Sequence, residues 1–369
     1  MKLFEYMGKN LFHQYGIPVP RGKMAATPEE AAAVAQEIGQ VVIKSQILSG
    51  KRGKAGGIKF ADSPGEAATM AAELLQKQLN GYLVETVLVE EKLKIDRELY
   101  LSITMDGAQK RPVILASAEG GMDIEEVPPE KIVRYVVEPQ IGVKPFVGRE
   151  ISFKLGLKGE LSGQMTNFLQ KLYQLFTGLD AELTEINPLV VSGQTLVAAD
   201  SKITIDDEAL WRHPDLPVVS ERTAAEEAAN TLGLSYVQLD GDIAIMANGA
   251  GITMATLDVL KFYGGQPANF LDAGGGANVE QTAKALEILL STKPKVILIN
   301  IFGGITRCDD VARAFIQVKN TREIPVPVVI RMVGTNEAQG VQLLKENGVE
   351  AYKTMQEAAQ KAVELSKGA

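Results

Sequence analysis

The sequence predicts two domains: a mixed α+β first domain over residues 1–232, and an α/β second domain over residues 233–369 built on a doubly wound parallel sheet. Three observations carry this expectation. A chain of 369 residues is two to three times the usual domain length. Its first part mixes helical and strand patterns without a repeat, whereas from about residue 240 strand, glycine turn and helix alternate regularly, the pattern of a parallel sheet with crossover helices. Between them the charged stretch from Asp206 to about Glu226, interrupted by Pro214 and Pro217, reads as the connection.

In chain order, an opening amphipathic pattern (Leu3, Tyr6, Leu11, Phe12) precedes two helix starts, Thr27-Pro28-Glu29-Glu30 and Ser63-Pro64-Gly65-Glu66. Each sets a hydroxyl at N-cap, proline at the first helical position and glutamate at N3, a capping box with a preset first turn. Between them Val41-Val42-Ile43-Lys44 is an apolar strand that ends on a lysine. It leads through the basic loop Ser49-Gly50-Lys51-Arg52-Gly53-Lys54-Ala55-Gly56-Gly57 into a short strand from Ile58 to Phe60. Strands follow at 83–90, 98–105 and 112–117, then a helix over roughly 160–177 with Leu161, Met165, Phe168, Leu169, Leu172 and Phe176 on one face. The second domain has strands at 242–247, 268–271, 295–301, 326–332 and 349–353, each followed by a helical pattern.

Composition narrows the function classes. With 46% apolar and 23% charged residues the chain is a globular protein, and its net charge of −8 argues against a nucleic-acid partner. No apolar stretch approaches the ~20 residues of a membrane span. The lone Cys308 excludes an intrachain disulfide, and Glu5 and Lys9 interrupt any signal-peptide core, so the expected location is the cytoplasm or an organelle matrix. Only His13 and His213 could supply an imidazole, which disfavours His-based triads and zinc sites.

Four constellations could carry chemistry. In the basic loop, Lys44, Lys51, Arg52 and Lys54 with flexible glycines would suit triphosphate oxygens, although the loop is not a Walker motif and also fits a solvated hairpin tip. The segment Thr184 to Asp200 reads as a hairpin turning at Gly193-Gln194, which sets Asn187 opposite Asp200 and Glu185 opposite Lys202. An amide oxygen facing a carboxylate would suit Mg²⁺, or would be an ordinary cross-strand polar pair. Glu90 and Glu98 flank a charged turn, where they could meet an adenine amine or ribose hydroxyls. In the second domain the strand ends Asn248-Gly249-Ala250-Gly251, Asp272-Ala273-Gly274-Gly275-Gly276 and Phe302-Gly303-Gly304-Ile305-Thr306 gather at the carboxyl edge of the sheet, where anions bind. The first of these plus Asp272 imitates a dinucleotide fingerprint, but Met254 occupies its third small-residue position.

Six stretches in order resemble the beta subunits of succinyl-CoA synthetases: Leu3-Phe4-Glu5-Tyr6 with Lys9-Asn10-Leu11-Phe12, Gly50 to Gly57, Glu185-Ile186-Asn187-Pro188-Leu189, Asn248-Gly249-Ala250-Gly251, Pro267 to Asp272, and Asn300-Ile301-Phe302-Gly303-Gly304. The resemblance implies an ATP-grasp domain followed by a flavodoxin-like CoA-ligase domain. It implies reversible conversion of ATP, succinate and CoA to succinyl-CoA, ADP and phosphate, a reaction of the tricarboxylic acid cycle, through a phosphohistidine on an alpha subunit in an αβ or (αβ)₂ assembly. By the same resemblance Lys44, Lys51, Arg52, Gly53, Glu90, Leu93 and Glu98 would bind the nucleotide, and Asn187 and Asp200 would ligate Mg²⁺. Glu185 would be the catalytic glutamate that steadies the phosphohistidine, and Asn248, Gly304, Ile305 and Thr306 would line the succinate site. CoA is expected mainly on the alpha subunit. Lys51 departs from the glycine usual before the arginine. A malate–CoA ligase or a GTP-using relative would share most of these motifs, and a nucleotide-sensing scaffold subunit is the alternative from a different class.

Overall fold

The two proline-primed helices form where their caps lie, as Pro28–Ile38 and Pro64–Leu74, with Thr27 Oγ1 and Ser63 Oγ accepting from the amides of Glu30 and Glu66. The reciprocal half of the box differs. Glu30 and Glu66 reach past the caps to accept from Ala26 N (2.7 Å) and Asp62 N (2.8 Å). The complete box sits at Thr223 and Glu226, opening the helix Ala224–Thr231. This computed structural model describes residues 1–50, 52–220, 222–276 and 279–368.

The chain divides into two compact units, Met1–Ser220 and Glu221–Ala369. The division falls earlier than the expected 232/233, although within the stretch read as the connection. Its physical reason is the helix Ala224–Thr231, whose Ala225 and Ala229 bury in the core of the second unit with Leu234, Tyr236 and Leu271.

The first unit holds two larger antiparallel sheets and a two-stranded one that pairs Gln78–Leu79 with Tyr82–Leu83. One runs Gly22–Ala25, Val87–Glu91, Val41–Ser45, Ile58–Ala61, with the two proline-primed helices over its apolar face. The other runs Thr195–Ala198, Ala181–Ser192, Arg97–Asp106, Arg111–Ser117, Ile132–Val136, and Lys202–Ile205 also pairs with Ala181–Ser192. Against it packs the helix Glu160–Gly178, burying Met165, Phe168, Leu169, Leu172 and Phe176, the face read from the sequence. The opening helix, Glu5–Gln14, buries Leu11 and Phe12 in the same core. Gly8 lets it approach closely, since a Cβ there would lie 2.1 Å from Ser201 Oγ.

In the second unit the sheet order is Ser235–Gln238, Asn269–Asp272, Ile243–Ala247, Val296–Gly303, Val328–Gly334, Ala351–Tyr352. The five expected strands run parallel, and apolar cores lie on both faces. The sequence reading omitted Ser235–Gln238, an antiparallel edge strand. Its short, mostly exposed run carries no buried-strand signature. One gap in the parallel ladder is bridged by a side chain. Between Ile243–Ala247 and Asn269–Asp272 the only ladder pair is Ala247 with Asp272, and the buried Asn269 amide instead accepts from Ile245 N (3.0 Å) and donates to Ile245 O (2.8 Å). No helix among the described residues is long and apolar enough to cross a membrane.

Candidate functional site

Lys44, one residue from the end of the strand Val41–Ser45, lies inside a buried cluster of charges to which four other segments of the first unit contribute. The opening helix contributes Glu5 and Lys9, the strand Val87–Glu91 contributes Glu90, the basic loop contributes Arg52, and the chain after the hairpin contributes Ala199 and Asp200. Lys44 Nζ lies 2.9 Å from Glu5 Oε1 and 2.9 Å from Glu90 Oε2, and donates to Ala199 O at 2.6 Å. Lys9 Nζ reaches both Glu90 oxygens at 2.6 Å, Glu5 Oε1 at 2.8 Å and Ala199 O at 2.8 Å. Arg52 places Nη1 2.6 Å from Glu5 Oε2 and Nη2 2.9 Å from Asp200 Oδ1. Three cations thus face three carboxylates, which is what makes burial of the set tolerable.

Burial pushes the Glu5 carboxyl up, but the charges of Arg52, Lys44 and Lys9 outweigh it and hold the group well below the usual glutamate range. Burial pulls Lys44 and Arg52 down, yet the surrounding carboxylates raise both. Asp200 is the exception: burial and the nearby Glu5 carboxylate push it up against the pull of Arg52. The cluster sets cations beside carboxylate oxygens, an arrangement that suits a phosphate chain.

The hairpin turns at Gly193-Gln194, pairing Ser192 with Thr195, and Glu185 pairs with Lys202 as expected. Asn187 and Asp200 fall opposite one another in this register, but the ladder is interrupted there at the cis Asn187–Pro188 bond. Asn187 Oδ1 accepts from Gly121 N (2.7 Å) and its Nδ2 donates to Met122 O (2.8 Å). Asp200 Oδ1 accepts from Arg52 and from Ser201 N, leaving Oδ2 unbonded among the described residues. One carboxylate and one amide oxygen are hard donors that fit Mg²⁺ sharing phosphates and waters. Among the described residues no group of three or more His, Cys, Asp or Glu could hold a metal ion. Glu185, half buried, accepts from Tyr100 OH at 3.1 Å, and burial together with the Glu185 charge pushes the Tyr100 phenol up.

Not every expected residue joins the cluster. Lys51 lies outside the described residues. Gly53 is exposed in a turn that spends the amides of Gly56 and Gly57 on Gly53 O and Arg52 O rather than aiming them outward. Leu93 and Glu98, both half buried, take no part in its ion pairs. Glu90 belongs to the cluster, but buried between Lys9 and Lys44 rather than beside an exposed turn. Sequence reasoning assigned no role to Glu5 and Lys9. Their available signal was charge at i and i+4 on the buried face of an amphipathic helix.

In the second unit the three glycine turns meet at the carboxyl edge and are laced by side chains. Asn248 brackets the Phe302 backbone, donating to Phe302 O and accepting from Phe302 N, each at 2.9 Å. Asp272 Oδ1 accepts from Gly249 N (2.5 Å) and Gly274 N (2.7 Å). Thr306, buried, accepts from Gly276 N at 3.0 Å. Asn248 and Thr306 therefore brace the turns, while Gly304 and Ile305, the latter 83% exposed, are presented outward. Asp272 has its carboxylate committed to backbone amides, which removes the ribose ligand of a dinucleotide site. His13 is exposed on the opening helix, and His213 Nε2 lies 2.8 Å from Asp180 Oδ2.

The first unit's charge cluster and the second unit's glycine-lined sheet edge define an ATP-grasp protein joined to a CoA-ligase domain: the ATP-grasp domain family matches residues 2–191 and the CoA-ligase family residues 246–365. The chain is 48% identical to the succinate–CoA ligase [ADP-forming] subunit beta of Staphylothermus marinus, over 100% of this chain and 99% of that one. It is 46% identical to the protein of the same name from Methanothermobacter thermautotrophicus, over the full length of both. The chain belongs to the family of succinate–CoA ligase [ADP-forming] beta subunits. An ATP citrate lyase from Methanothrix soehngenii, solved with citrate and coenzyme A, shares the fold at a TM-score of 0.73 and 20% identity, over 98% of this chain and 99% of that one.

Proposed function

We propose that the chain is the nucleotide-binding subunit of an ADP-forming acid–CoA ligase. It couples ATP, succinate and CoA reversibly to succinyl-CoA, ADP and phosphate through a phosphohistidine carried on a separate alpha subunit. The observation that carries this reading is the buried, balanced cluster around Lys44 and Arg52 beside the Asn187–Asp200 oxygens, in a chain that matches ligase beta subunits along its whole length. Lys44, Arg52 and the basic loop with Lys51 and Gly53 bind the phosphates, and Glu90, Leu93 and Glu98 border the rest of the nucleotide. Asn187 and Asp200 hold Mg²⁺, which neutralises phosphate charge during transfer.

Glu185, oriented by Tyr100 OH, steadies the incoming imidazolium by its negative charge. In the second unit Gly304 and Ile305 face succinate, and Asn248 and Thr306 keep their turn in shape. The short supply of imidazoles here, one exposed and one committed to Asp180, supports a carrier histidine on the partner. The pair works in the cytoplasm or an organelle matrix as αβ or (αβ)₂, with CoA bound mainly by the alpha subunit. Co-expression with the alpha subunit, followed by acyl-CoA assays on a panel of dicarboxylic acids with ATP and GTP, tests the reading. Acyl-CoA formation that does not require ATP, or that does not occur with succinate, refutes it.

A further inference from the structure

The helix Pro145–Lys154 is apolar on two faces, and the first unit covers one of them. Val147 and Ile151 pack into the core. Gly148 lets the helix press against Glu160–Gly178, since a Cβ there would lie 2.5 Å from Thr166 Cα. The opposite face carries Phe146, 52% exposed, and Phe153, 84% exposed, with the exposed Arg149 between them. Spacings of three and four residues set these three side chains in one stripe, and the two rings stand about 10 Å apart along the helix axis.

Single exposed apolar residues are ordinary on a protein surface. This stripe is set apart by its charge. Glu150 and Lys154 beside it pair with each other at 2.7 Å, whereas Arg149 makes no ion pair or hydrogen bond among the described residues. A guanidinium without a counter-charge between two phenyl rings has the composition of an interface centre, where aromatic and arginine anchors meet an apolar surface and a carboxylate. The close packing at Gly148 holds the helix in place, so little freedom is lost when its outer face is covered.

We propose that the stripe Phe146, Arg149 and Phe153 is a docking surface for the partner subunit, which presents to it an apolar patch centred on a carboxylate. The identity of that partner rests on the reading above, in which this chain is one subunit of a heteromeric ligase. A second copy of this chain is the poorer occupant on charge. Two such helices related by a two-fold axis set Arg149 against Arg149 when antiparallel, and against a Glu150 already neutralised by Lys154 when parallel.

Isothermal titration calorimetry of the full chain with the purified alpha subunit measures the association. Analytical ultracentrifugation measures self-association of the chain alone, and circular dichroism checks that each variant is folded. Phe153→Ser weakens association with the alpha subunit by about thirtyfold or more, the loss of one interface anchor. Arg149→Glu weakens it by a similar factor through like-charge repulsion, and Arg149→Lys, which keeps the charge, loses less. Unchanged association in Phe153→Ser and Arg149→Glu overturns the assignment while leaving the two-subunit reading intact, as does a loss confined to self-association of this chain. A wild-type chain that does not associate with the alpha subunit overturns both.

Discussion

Replacing Lys44 with methionine tests the charge cluster as a structural and a binding element at once. The substitution removes a buried ammonium from between Glu5 and Glu90 but fills most of its volume, so the cavity contribution is small. Breaking a buried ion pair from one side costs about 3–5 kcal/mol, because the remaining charge stays desolvated. Here both carboxylates keep a cation, Glu5 through Lys9 and Arg52 and Glu90 through Lys9, so the low end, about 3 kcal/mol, applies. With a urea slope of roughly 2–3 kcal/mol/M, the unfolding midpoint of the first unit falls by about 1 M.

The cost has a pH signature. Because the folded-state pKa of Glu5 is depressed, its contribution is fully present above the ordinary value near 4.5 and is lost as pH falls through the lower folded value. The difference between wild type and Lys44→Met therefore narrows in acid. Affinity for Mg·ATP drops by about 10–100-fold, the equivalent of one charge-assisted hydrogen bond. Urea titrations followed by far-UV circular dichroism at pH 7 and pH 4, with calorimetry of ATP binding, read all three. An unchanged midpoint at pH 7 would mean that Lys44 is not held by the buried carboxylates, and the reasoning fails.

Asp200→Asn keeps the fold but weakens the Mg²⁺ dependence of phosphoryl transfer to the alpha subunit, and an unaltered Mg²⁺ titration removes Asp200 from the metal site. Asn269→Leu strands the amide and carbonyl of Ile245 in the sheet of the second unit and costs about 3 kcal/mol, read as a lowered melting temperature; a loss below about 1 kcal/mol shows that the ladder closes without it. The isolated chain incubated with γ-labelled ATP acquires no acid-labile phosphate, and label that disappears in a His13→Ala, His213→Ala double variant would place the carrier histidine on this chain instead.

Local order was legible wherever neighbours in sequence determine it. Thr27, Ser63 and their prolines start helices because cap and first turn are adjacent residues, and Gly193-Gln194 sets the register that pairs Glu185 with Lys202. The alternation after residue 240 announced the parallel sheet because each buried strand needs its own apolar run. The candidate site was half legible. Lys44 stood out as a charge on an apolar strand, and Asn187 and Asp200 followed from counting outward from the turn.

What they bond to did not follow, because partners come from segments far apart in the chain. Glu5 and Lys9 look like the polar residues of a surface helix until Gly8 allows that helix to close on Ser201, which brings Lys9 to Ala199 and Glu5 to Lys44 and Arg52. Asp272 likewise reads as a ribose ligand by spacing, and becomes a brace only when the fold brings the Gly249 and Gly274 amides to one of its oxygens. A charged side chain must find its counter-charges wherever packing excludes water, and that geometry exists only after the segments have come together.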